Sequence, residues 1–322
     1  MRPIIFDIKR YAINDGPGIR TTLFFSGCPL RCVWCHNPES WASSPHLTYK
    51  RSRCIGCQSC VAACAHGALR LTAEGIKPVG HSGQSCADRC GGHDCLSACP
   101  SMALELCGRE WPLEELMAEV EKERDVMEDS GGGVTLCGGE PLMQGESTLE
   151  VLRELGRRGL HRTVDTSLCA PPQTVSEAAK LCELMLVDLK VMDSEKHRRY
   201  TGAGNEQILS NIRMVNALGT PFYIRIPLTE GINADEDNIE ATATFLASLR
   251  QQQTATRKPT EGKGPLLGVN LLPYHDVGRD KHRRIWSVYN PEGLPMSTPT
   301  ADVQQRAIGQ FARHGISATI GG

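Results

Sequence analysis

The cysteines of this chain are clustered, and their spacing constrains the fold more than any other feature. The sequence has 15 cysteines in 322 residues, with three in 28–35, four in 54–64 and four in 86–99. The N-terminal segment has no basic region followed by an apolar core, which predicts a cytoplasmic protein whose thiols stay reduced. Metal binding is then a better interpretation of dense cysteines than disulfide pairing.

The first group, Cys28-x3-Cys32-x2-Cys35, directly follows a predicted strand over 19–25. Three thiolates can bind three irons of a 4Fe–4S cube, which leaves the fourth iron open to a substrate. Structural zinc is the alternative, although it requires four protein ligands. His36 directly follows Cys35, and this short spacing makes it an awkward fourth ligand. The pattern therefore favours an open iron–sulfur cluster.

The second and third groups have the spacing of a two-cluster bacterial ferredoxin. The second group is C-x2-C-x2-C-x3-C, and the third is looser but ends in C-x3-C-P. In such ferredoxins the fourth cysteine of each run binds the other cluster. A pair of zinc knuckles is the alternative. The predicted ligand sets are Cys54, Cys57, Cys60 and Cys99 for one closed cluster, and Cys86, Cys90, Cys95 and Cys64 for the other.

Outside residues 50–107, predicted strands and helices alternate. The predicted strands are 19–25, 134–136, 162–166, 184–190, 222–227 and 267–272. The predicted helices are 112–127, 206–218, 235–250 and 300–314, with two more opened by capping patterns at Ser147 and Thr174, and 251–265 is predicted as an exposed connection.

About six βα units indicate a parallel sheet, and eight would close a full barrel. The predicted fold class is therefore α/β: a partial (β/α)6 TIM-like barrel formed by 1–49 and 108–322. Residues 50–107 are predicted to be an inserted bacterial-ferredoxin-like domain that carries electrons.

Polar residues follow two of the predicted strands, where a barrel would have its active site. Gly138 and Gly139 let a ligand approach the backbone, and Glu140 supplies an acceptor for an ammonium group; a simple turn is the alternative. Asp188 and Lys190 share one side of a buried strand, where charged groups need a partner or a ligand. A structural ion pair with some other group is the alternative.

Charge and hydropathy exclude two classes of partner. The net charge is −2 and the pI is near 6.6, so no nucleic-acid or membrane-surface partner is predicted. No apolar run approaches the roughly 20 residues that a membrane helix needs.

C-x3-C-x2-C with an aromatic residue before the last cysteine resembles the radical S-adenosylmethionine superfamily. The stretch DGPGIRTTLFFSGCPLRCVWCHNPES, residues 15–40, is similar to the activating enzymes of glycyl radical enzymes, the family that includes pyruvate formate-lyase activating enzyme. The inserted cysteines place the chain with the longer members of that family.

This resemblance implies an oxidoreductase with three 4Fe–4S clusters. S-adenosylmethionine binds the open iron, and one electron cleaves it to a 5′-deoxyadenosyl radical. That radical takes a hydrogen atom from a glycine of the partner, a glycyl radical enzyme. Flavodoxin or ferredoxin is the implied reductant.

The resemblance also assigns residues. Those implied to hold S-adenosylmethionine are Trp34, Gly138, Gly139, Glu140, Asp188, Lys190, Arg225 and His275. Asp165, Thr166 and Asp188 are implied to bind a monovalent cation, and Asp15 and Gly16 to bind the partner. From the residues alone, Trp34 could equally be a core residue and His275 a structural histidine.

Two other functions stay open. One is a polyferredoxin-type electron carrier, which would need no strand-end GGE or DLK residues. The other is a radical S-adenosylmethionine enzyme that acts on a small molecule or another peptide, which the resemblance of DGPGIRTT and CHNPE disfavours. Four cysteines receive no role: Cys107, Cys137, Cys169 and Cys182. Of these, Cys137 and Cys182 are expected to be small buried apolar residues.

Overall fold

The computed structural model describes residues 2–79, 93–256 and 265–321. The strands are β1 (Ile4–Ala12), β2 (Arg20–Phe25), β3 (His46–Tyr49), β4 (Leu69–Thr72), β5 (Gly75–Pro78), β6 (Leu104–Cys107), β7 (Arg109–Glu110), β8 (Gly133–Gly138), β9 (Arg162–Thr166), β10 (Leu184–Asp188), β11 (Phe222–Leu228), β12 (Leu266–Pro273) and β13 (Ala318–Ile320).

The α-helices are Ser59–Ala62, Asp94–Ser97, Leu113–Glu121, Arg124–Asp129, Glu146–Arg157, Pro172–Leu181, Ser194–Thr201, Glu206–Leu218, Glu236–Thr256, Arg279–Arg284 and Ala301–Arg313. Three further turns are 3-10 helices: Pro38–Trp41, Arg51–Arg53 and Pro141–Gln144.

Nine strands form one sheet in the order β13-β12-β11-β10-β9-β8-β2-β1-β7. The seven strands from β13 to β2 pair in parallel, and β1 and β7 are antiparallel additions at one edge. Helices connect the parallel strands, as parallel pairing requires. The α/β prediction with a large parallel sheet is confirmed. All seven parallel strands end near one edge, which is where the polar residues lie.

The sheet is buried because its strands carry apolar side chains toward the helices. In β11 burial alternates strictly: Phe222, Ile224 and Ile226 are at most 1% exposed, while Arg225 lies on the other, partly accessible face. Alternation along a strand therefore sends apolar groups to the core and the arginine to the opposite side.

Several predicted boundaries are wrong. The helix predicted over 112–127 is two helices, because Glu123 leaves helical geometry with ψ of 15°. The helix with the predicted cap at Ser147 begins at Glu146 after Gly145, and Ser147 is buried inside its first turn. The helix predicted to open at Thr174 begins at Pro172, since proline suits a first helical turn.

Other elements were not predicted. They include β1, β13 and the helices Ser194–Thr201 and Arg279–Arg284. The helix predicted over 235–250 continues to Thr256, into the predicted connection 251–265, of which 257–264 lies outside the described residues.

The described part of 50–107 consists of two similar halves. The helices Ser59–Ala62 and Asp94–Ser97 each follow a residue in the left-handed conformation, Gln58 and His93, and each leads to a strand, β4 or β6. This segment has a small core of its own, in which Cys60 and Cys95 are buried.

None of the helices in the described ranges is long and apolar enough to cross a membrane.

Candidate functional site

The loop that carries Cys28, Cys32 and Cys35 begins directly after β2 and rests on the end of a helix. Arg31 donates its N–H to the Thr201 carbonyl at 2.7 Å. Val33 donates likewise to the carbonyl that precedes Thr201, at 3.0 Å. The last turn of the helix Ser194–Thr201 therefore fixes the main chain between the cysteines.

The three thiols of this loop influence one another's charge. Burial and a neighbouring thiol of the loop together raise the pKa of Cys28, Cys32 and Cys35 to about 12 each. Lys190 lowers the pKa of all three. A buried ammonium group next to thiols favours the thiolate form that binds iron.

Across residues 2–79, 93–256 and 265–321, no three His, Cys, Asp or Glu side chains converge on a point suited to one metal ion. Each cysteine of a 4Fe–4S cube binds a different iron, so such thiols lie farther apart than the ligands of one ion. A set of three thiols beside a buried cation therefore fits a cluster.

Gly138 ends β8, and Gly139 and Glu140 follow it beside the start of the cysteine loop. Gly139 donates its N–H to the Phe25 carbonyl at 3.0 Å, and Glu140 donates its N–H to the Gly27 carbonyl at 2.8 Å. A Cβ on Gly139 would lie 2.3 Å from the Gly27 carbonyl oxygen. The glycine therefore allows a main-chain approach that no other residue permits.

The Glu140 carboxylate is fully buried and fully hydrogen-bonded. Oε1 accepts from the Leu142 N–H at 3.1 Å and the Thr166 hydroxyl at 2.7 Å. Oε2 accepts from the N–H and the hydroxyl of Ser167 at 2.8 and 2.6 Å. Burial raises the pKa of Glu140 although these hydrogen bonds oppose the rise. A carboxylate has about four acceptor sites, so this one has none left for an ammonium group.

Asp188 and Lys190 pair with each other. Lys190 Nζ donates to Asp188 Oδ2 at 2.6 Å, and the lysine side chain is 9% exposed. Burial would lower the pKa of Lys190, but Asp188 and Cys32 raise it overall. The pair holds the Lys190 ammonium group between the end of β10 and the cysteine loop.

A second buried pair joins β9 and β11. Arg225 Nη1 donates to Asp165 Oδ2 at 2.8 Å, and the Cys137 thiol donates to the same oxygen at 3.3 Å. Burial raises the pKa of Asp165 to about 6 against the pull of Arg225. The Nε–H of Arg225 is buried without a hydrogen-bond partner within the described residues. A ligand that reached this group would satisfy it.

The three residues predicted to bind a cation are already engaged. Asp165 pairs with Arg225, and Asp188 pairs with Lys190. The Thr166 hydroxyl donates to Glu140 and accepts from the Leu168 N–H at 2.9 Å.

Trp34 and His275 differ in burial. Trp34 is 4% exposed and belongs to a small apolar cluster with Val33, Val191, Tyr200, Ile232 and Tyr274. The exposed His275 ring stacks on His36 with centroids 4.1 Å apart, which places it beside the end of the cysteine loop.

Asp15 and Gly16 lie in the turn between β1 and β2. The Thr22 hydroxyl donates to Asp15 Oδ2 at 2.6 Å. Gly16 has φ of 125°, and Arg20 packs beneath the turn, fully buried. Arg20 donates to the Pro17 carbonyl at 2.9 Å. Burial lowers the pKa of Arg20 to about 10.

Four cysteines from the two halves of the insertion come together. Cys60 belongs to the small core, and Cys54 and Cys99 pack against it. A hydrogen bond from Ser59 lowers the pKa of Cys57, and Cys99 opposes that change. These four residues are the set predicted for the first closed cluster, and that assignment stays a prediction. Cys64 and Cys95 belong to the same small core, whereas Cys86 and Cys90 lie outside the described residues.

Sequence reasoning missed four side chains at this site: Arg20, Cys137, Ser167 and His282. Cys137 and Ser167 adjoin predicted strand-end motifs. They could have been found from the expectation that a barrel has its active site where its strands end. Arg20 and His282, whose Nε2 lies 3.1 Å from the Cys35 carbonyl oxygen, have no sequence signal.

Known proteins similar to this chain identify its family. A family model described as a 4Fe-4S single cluster domain matches residues 14–209. Trans-4-hydroxy-L-proline dehydratase activating enzyme of Clostridioides difficile is 35% identical over 330 aligned positions, which cover 100% of both chains. Choline trimethylamine-lyase activating enzyme of Oleidesulfovibrio alaskensis is 36% identical and covers 91% of this chain and 90% of its own.

Among solved structures, a radical SAM methyltransferase from Sphaerobacter thermophilus has a TM-score of 0.51 at 16% identity, over 99% of this chain and 77% of its own. That likeness supports the fold alone. The two activating enzymes share sequence with this chain over nearly its whole length, which confirms the resemblance. The chain therefore belongs to the glycyl radical enzyme activating enzymes of the radical S-adenosylmethionine superfamily.

Proposed function

We propose that Cys28, Cys32 and Cys35 bind the 4Fe–4S cluster at which this activating enzyme cleaves S-adenosylmethionine. The observation that supports this most is the convergence of three thiols and the buried Lys190 ammonium group at the strand ends. When bound, the reduced cluster supplies the electron that converts S-adenosylmethionine to the radical that takes a hydrogen atom from a glycine of the partner. Lys190 stabilises the thiolates by its charge.

S-adenosylmethionine would lie against the ends of β8, β10 and β11. Because Glu140 is saturated, its carboxylate acts by fixing Thr166 and Ser167. Gly138 and Gly139, which have no side chains, would let the ligand approach the main chain. Arg225 has a free buried Nε–H suited to a carboxylate. Asp188, Lys190, Trp34 and His275 keep the binding roles that the family implies.

A monovalent cation at Asp165, Thr166 and Asp188 is a further part of the proposal. Its binding requires Arg225 to release Asp165, since the guanidinium now neutralises that carboxylate. Binding of the S-adenosylmethionine carboxylate to Arg225 would bring about that release.

The architecture proposed is a partial (β/α)6-type barrel, 1–49 and 108–322, with a ferredoxin-like insertion at 50–107. Support comes from the parallel strand order and from the two similar halves around Cys60 and Cys95. The insertion would bind two more 4Fe–4S clusters, one at Cys54, Cys57, Cys60 and Cys99 and the other at Cys86, Cys90, Cys95 and Cys64.

The partner is a glycyl radical enzyme, and we propose that its glycine loop meets the turn at Asp15 and Gly16. Two apolar side chains next to this turn are well exposed, Tyr11 at 58% and Ile13 at 69%. Flavodoxin or ferredoxin as the reductant, a cytoplasmic location and the oxidoreductase class stay predictions.

A label-transfer experiment tests this function. Glycyl radical enzymes encoded by the same genome are produced with Cα-dideuterated glycine and mixed anaerobically with the reduced protein and S-adenosylmethionine. We expect deuterium in the 5′-deoxyadenosine and a glycyl radical signal in electron paramagnetic resonance. 5′-Deoxyadenosine without deuterium would indicate a different substrate, and its complete absence would leave the electron carrier.

A further inference from the structure

One tryptophan connects the segment after β12 to the insertion. The Trp286 indole stacks on Tyr49, with ring centroids 6.1 Å apart and planes 6° from parallel. Its Nε1–H donates to the Ile76 carbonyl of β5 at 2.8 Å. Trp286 therefore contacts both small sheets of the insertion, one through a ring face and the other through a hydrogen bond.

The backbone of Trp286 supports the view that this contact is specific. Its φ is 56°, in the left-handed region that large side chains rarely adopt. Such a conformation persists where surrounding contacts fix it. The stack on Tyr49 and the hydrogen bond to Ile76 are the contacts that do so.

The same segment also contacts the cysteine loop of the strand-end site. His282 Nε2 lies 3.1 Å from the Cys35 carbonyl oxygen. Lys281 Nζ donates to Asn37 Oδ1 at 2.8 Å and pairs with Glu39 at 2.9 Å. One short helix, Arg279–Arg284, thus contacts the residues around Cys35 while the tryptophan two residues beyond it contacts the insertion.

Tyr49 presents its hydroxyl to a cysteine of the insertion. The residue is 4% exposed, and its hydroxyl has no partner of good hydrogen-bond geometry in the described part of the chain. Cys54 packs against the small core that contains Tyr49, and burial together with the Cys54 thiol raises the pKa of Tyr49. A Cβ on residue 75 would lie 2.2 Å from this hydroxyl, so only a glycine at that position leaves space for the Tyr49 hydroxyl.

A buried tyrosine hydroxyl normally donates a hydrogen bond. A thiol is a weak acceptor, whereas a thiolate bound to iron carries negative charge and accepts more strongly. The orphaned hydroxyl therefore fits a cysteine that binds a cluster. Hydrogen bonds to cluster sulfurs are one of the factors that set cluster potentials.

We infer that Tyr49 is a positioning residue that donates its hydroxyl hydrogen bond to the Cys54 sulfur and raises the reduction potential of the cluster bound there. Trp286 holds the Tyr49 ring in place from the segment that also contacts the Cys35 loop. The potential rises because the donated hydrogen bond stabilises the extra negative charge of the reduced cluster. This inference rests on the proposed assignment of Cys54 to an auxiliary cluster.

The test is a redox titration of the reconstituted enzyme followed by electron paramagnetic resonance, without any assay of activity. In Tyr49→Phe we expect the midpoint potential of one auxiliary cluster to become more negative, with unchanged iron content. The signal that changes when S-adenosylmethionine is added should titrate as before. Tyr11→Phe, which removes an exposed tyrosine hydroxyl, is the matched control and should shift nothing.

Trp286→Leu provides a second variant if Tyr49→Phe fails to load iron. It keeps the hydroxyl but removes the stack, and we expect a smaller shift in the same direction. An auxiliary cluster in the unaltered enzyme whose potential neither variant changes would overturn this inference and leave the proposed function standing. If the unaltered enzyme holds about four irons and no auxiliary signal, the proposed clusters fail and the inference with them.

Discussion

The strand-end site and the insertion both contain clustered cysteines, yet the two regions are stabilised by different interactions. At the strand ends, Lys190–Asp188 and Arg225–Asp165 are buried pairs supported by the apolar core of the large sheet. The insertion and the neighbouring strand β3 share a much smaller core, and cysteines are part of it: Leu47, Tyr49, Cys60, Leu69, Ile76, Cys95, Ala103 and Leu104. A core of that size stabilises little by itself.

Because their cores differ in size, the two regions are expected to depend on iron to different degrees. We expect the large apolar core of the sheet to position the strand-end side chains with or without a cluster. The insertion, by contrast, would gain much of its stability from its clusters, as small metal domains do. Four protein ligands close a cluster for electron transfer, whereas three leave an iron for chemistry.

The largest expected effect separates the two cysteine sets. Cys32→Ala should reduce 5′-deoxyadenosine formation by about 1000-fold or more, because it removes a ligand of the reactive cluster. Cys57→Ala should lower the iron content yet keep 5′-deoxyadenosine formation with dithionite as reductant. Both are measured on anaerobically reconstituted protein by iron analysis and chromatography. Equal loss in the two variants would contradict the separation.

Removal of iron should unfold one region and spare the other. After chelation, we expect amide hydrogen exchange in β4 and β5 to accelerate by roughly 100-fold or more, because the insertion core loses its clusters. Exchange in β9 and β10 should change little. Mass spectrometry of peptides from each region checks this. Protection of β4 that survives complete loss of iron would show that the insertion folds without clusters.

Replacement of the buried lysine should weaken the strand-end site itself. In Lys190→Met, Asp188 loses its partner, and we expect the free energy of unfolding to fall by about 2–3 kcal/mol. Denaturant titration of the iron-free protein measures it. Lys180→Met removes a surface pair with Glu177, both half exposed, and should change stability by at most about 0.5 kcal/mol. Similar losses of stability in the two variants would mean that the buried pair stabilises the protein no more than the surface pair does.

The smallest expected effect concerns the helix under the cysteine loop. Asp193 Oδ1 accepts from the Lys196 N–H at 2.7 Å and caps the helix Ser194–Thr201. Asp193→Ala should cost about 1 kcal/mol of stability. Asp193→Asn can still cap the helix and should recover most of that loss. Thermal unfolding compares the variants, and an equal loss in both would point to the charge instead of the cap.

Spacing and strand patterns predicted much of this molecule. The large parallel sheet was predicted correctly, because alternating strands and helices indicate parallel pairing, whereas the assignment of Cys54, Cys57, Cys60 and Cys99 to one cluster stays a prediction. The buried run of β10 and the end of the helix Glu206–Leu218 at Gly219 were also correct, since apolar periodicity and a glycine cap are local signals.

Partners distant in sequence were not predictable. The saturation of Glu140 by Thr166 and Ser167 depends on how β8 and β9 pair. The Asp165–Arg225 pair depends on the strand order, in which β10 lies between β9 and β11. The Trp286–Tyr49 stack joins residues more than 200 positions apart, and no local pattern marks it.

The most direct test of the account uses the unaltered protein alone. Anaerobically reconstituted enzyme is reduced with dithionite, mixed with S-adenosylmethionine and assayed for 5′-deoxyadenosine. We expect 5′-deoxyadenosine and about 12 irons per chain. About eight irons with no 5′-deoxyadenosine would contradict it and leave an electron carrier.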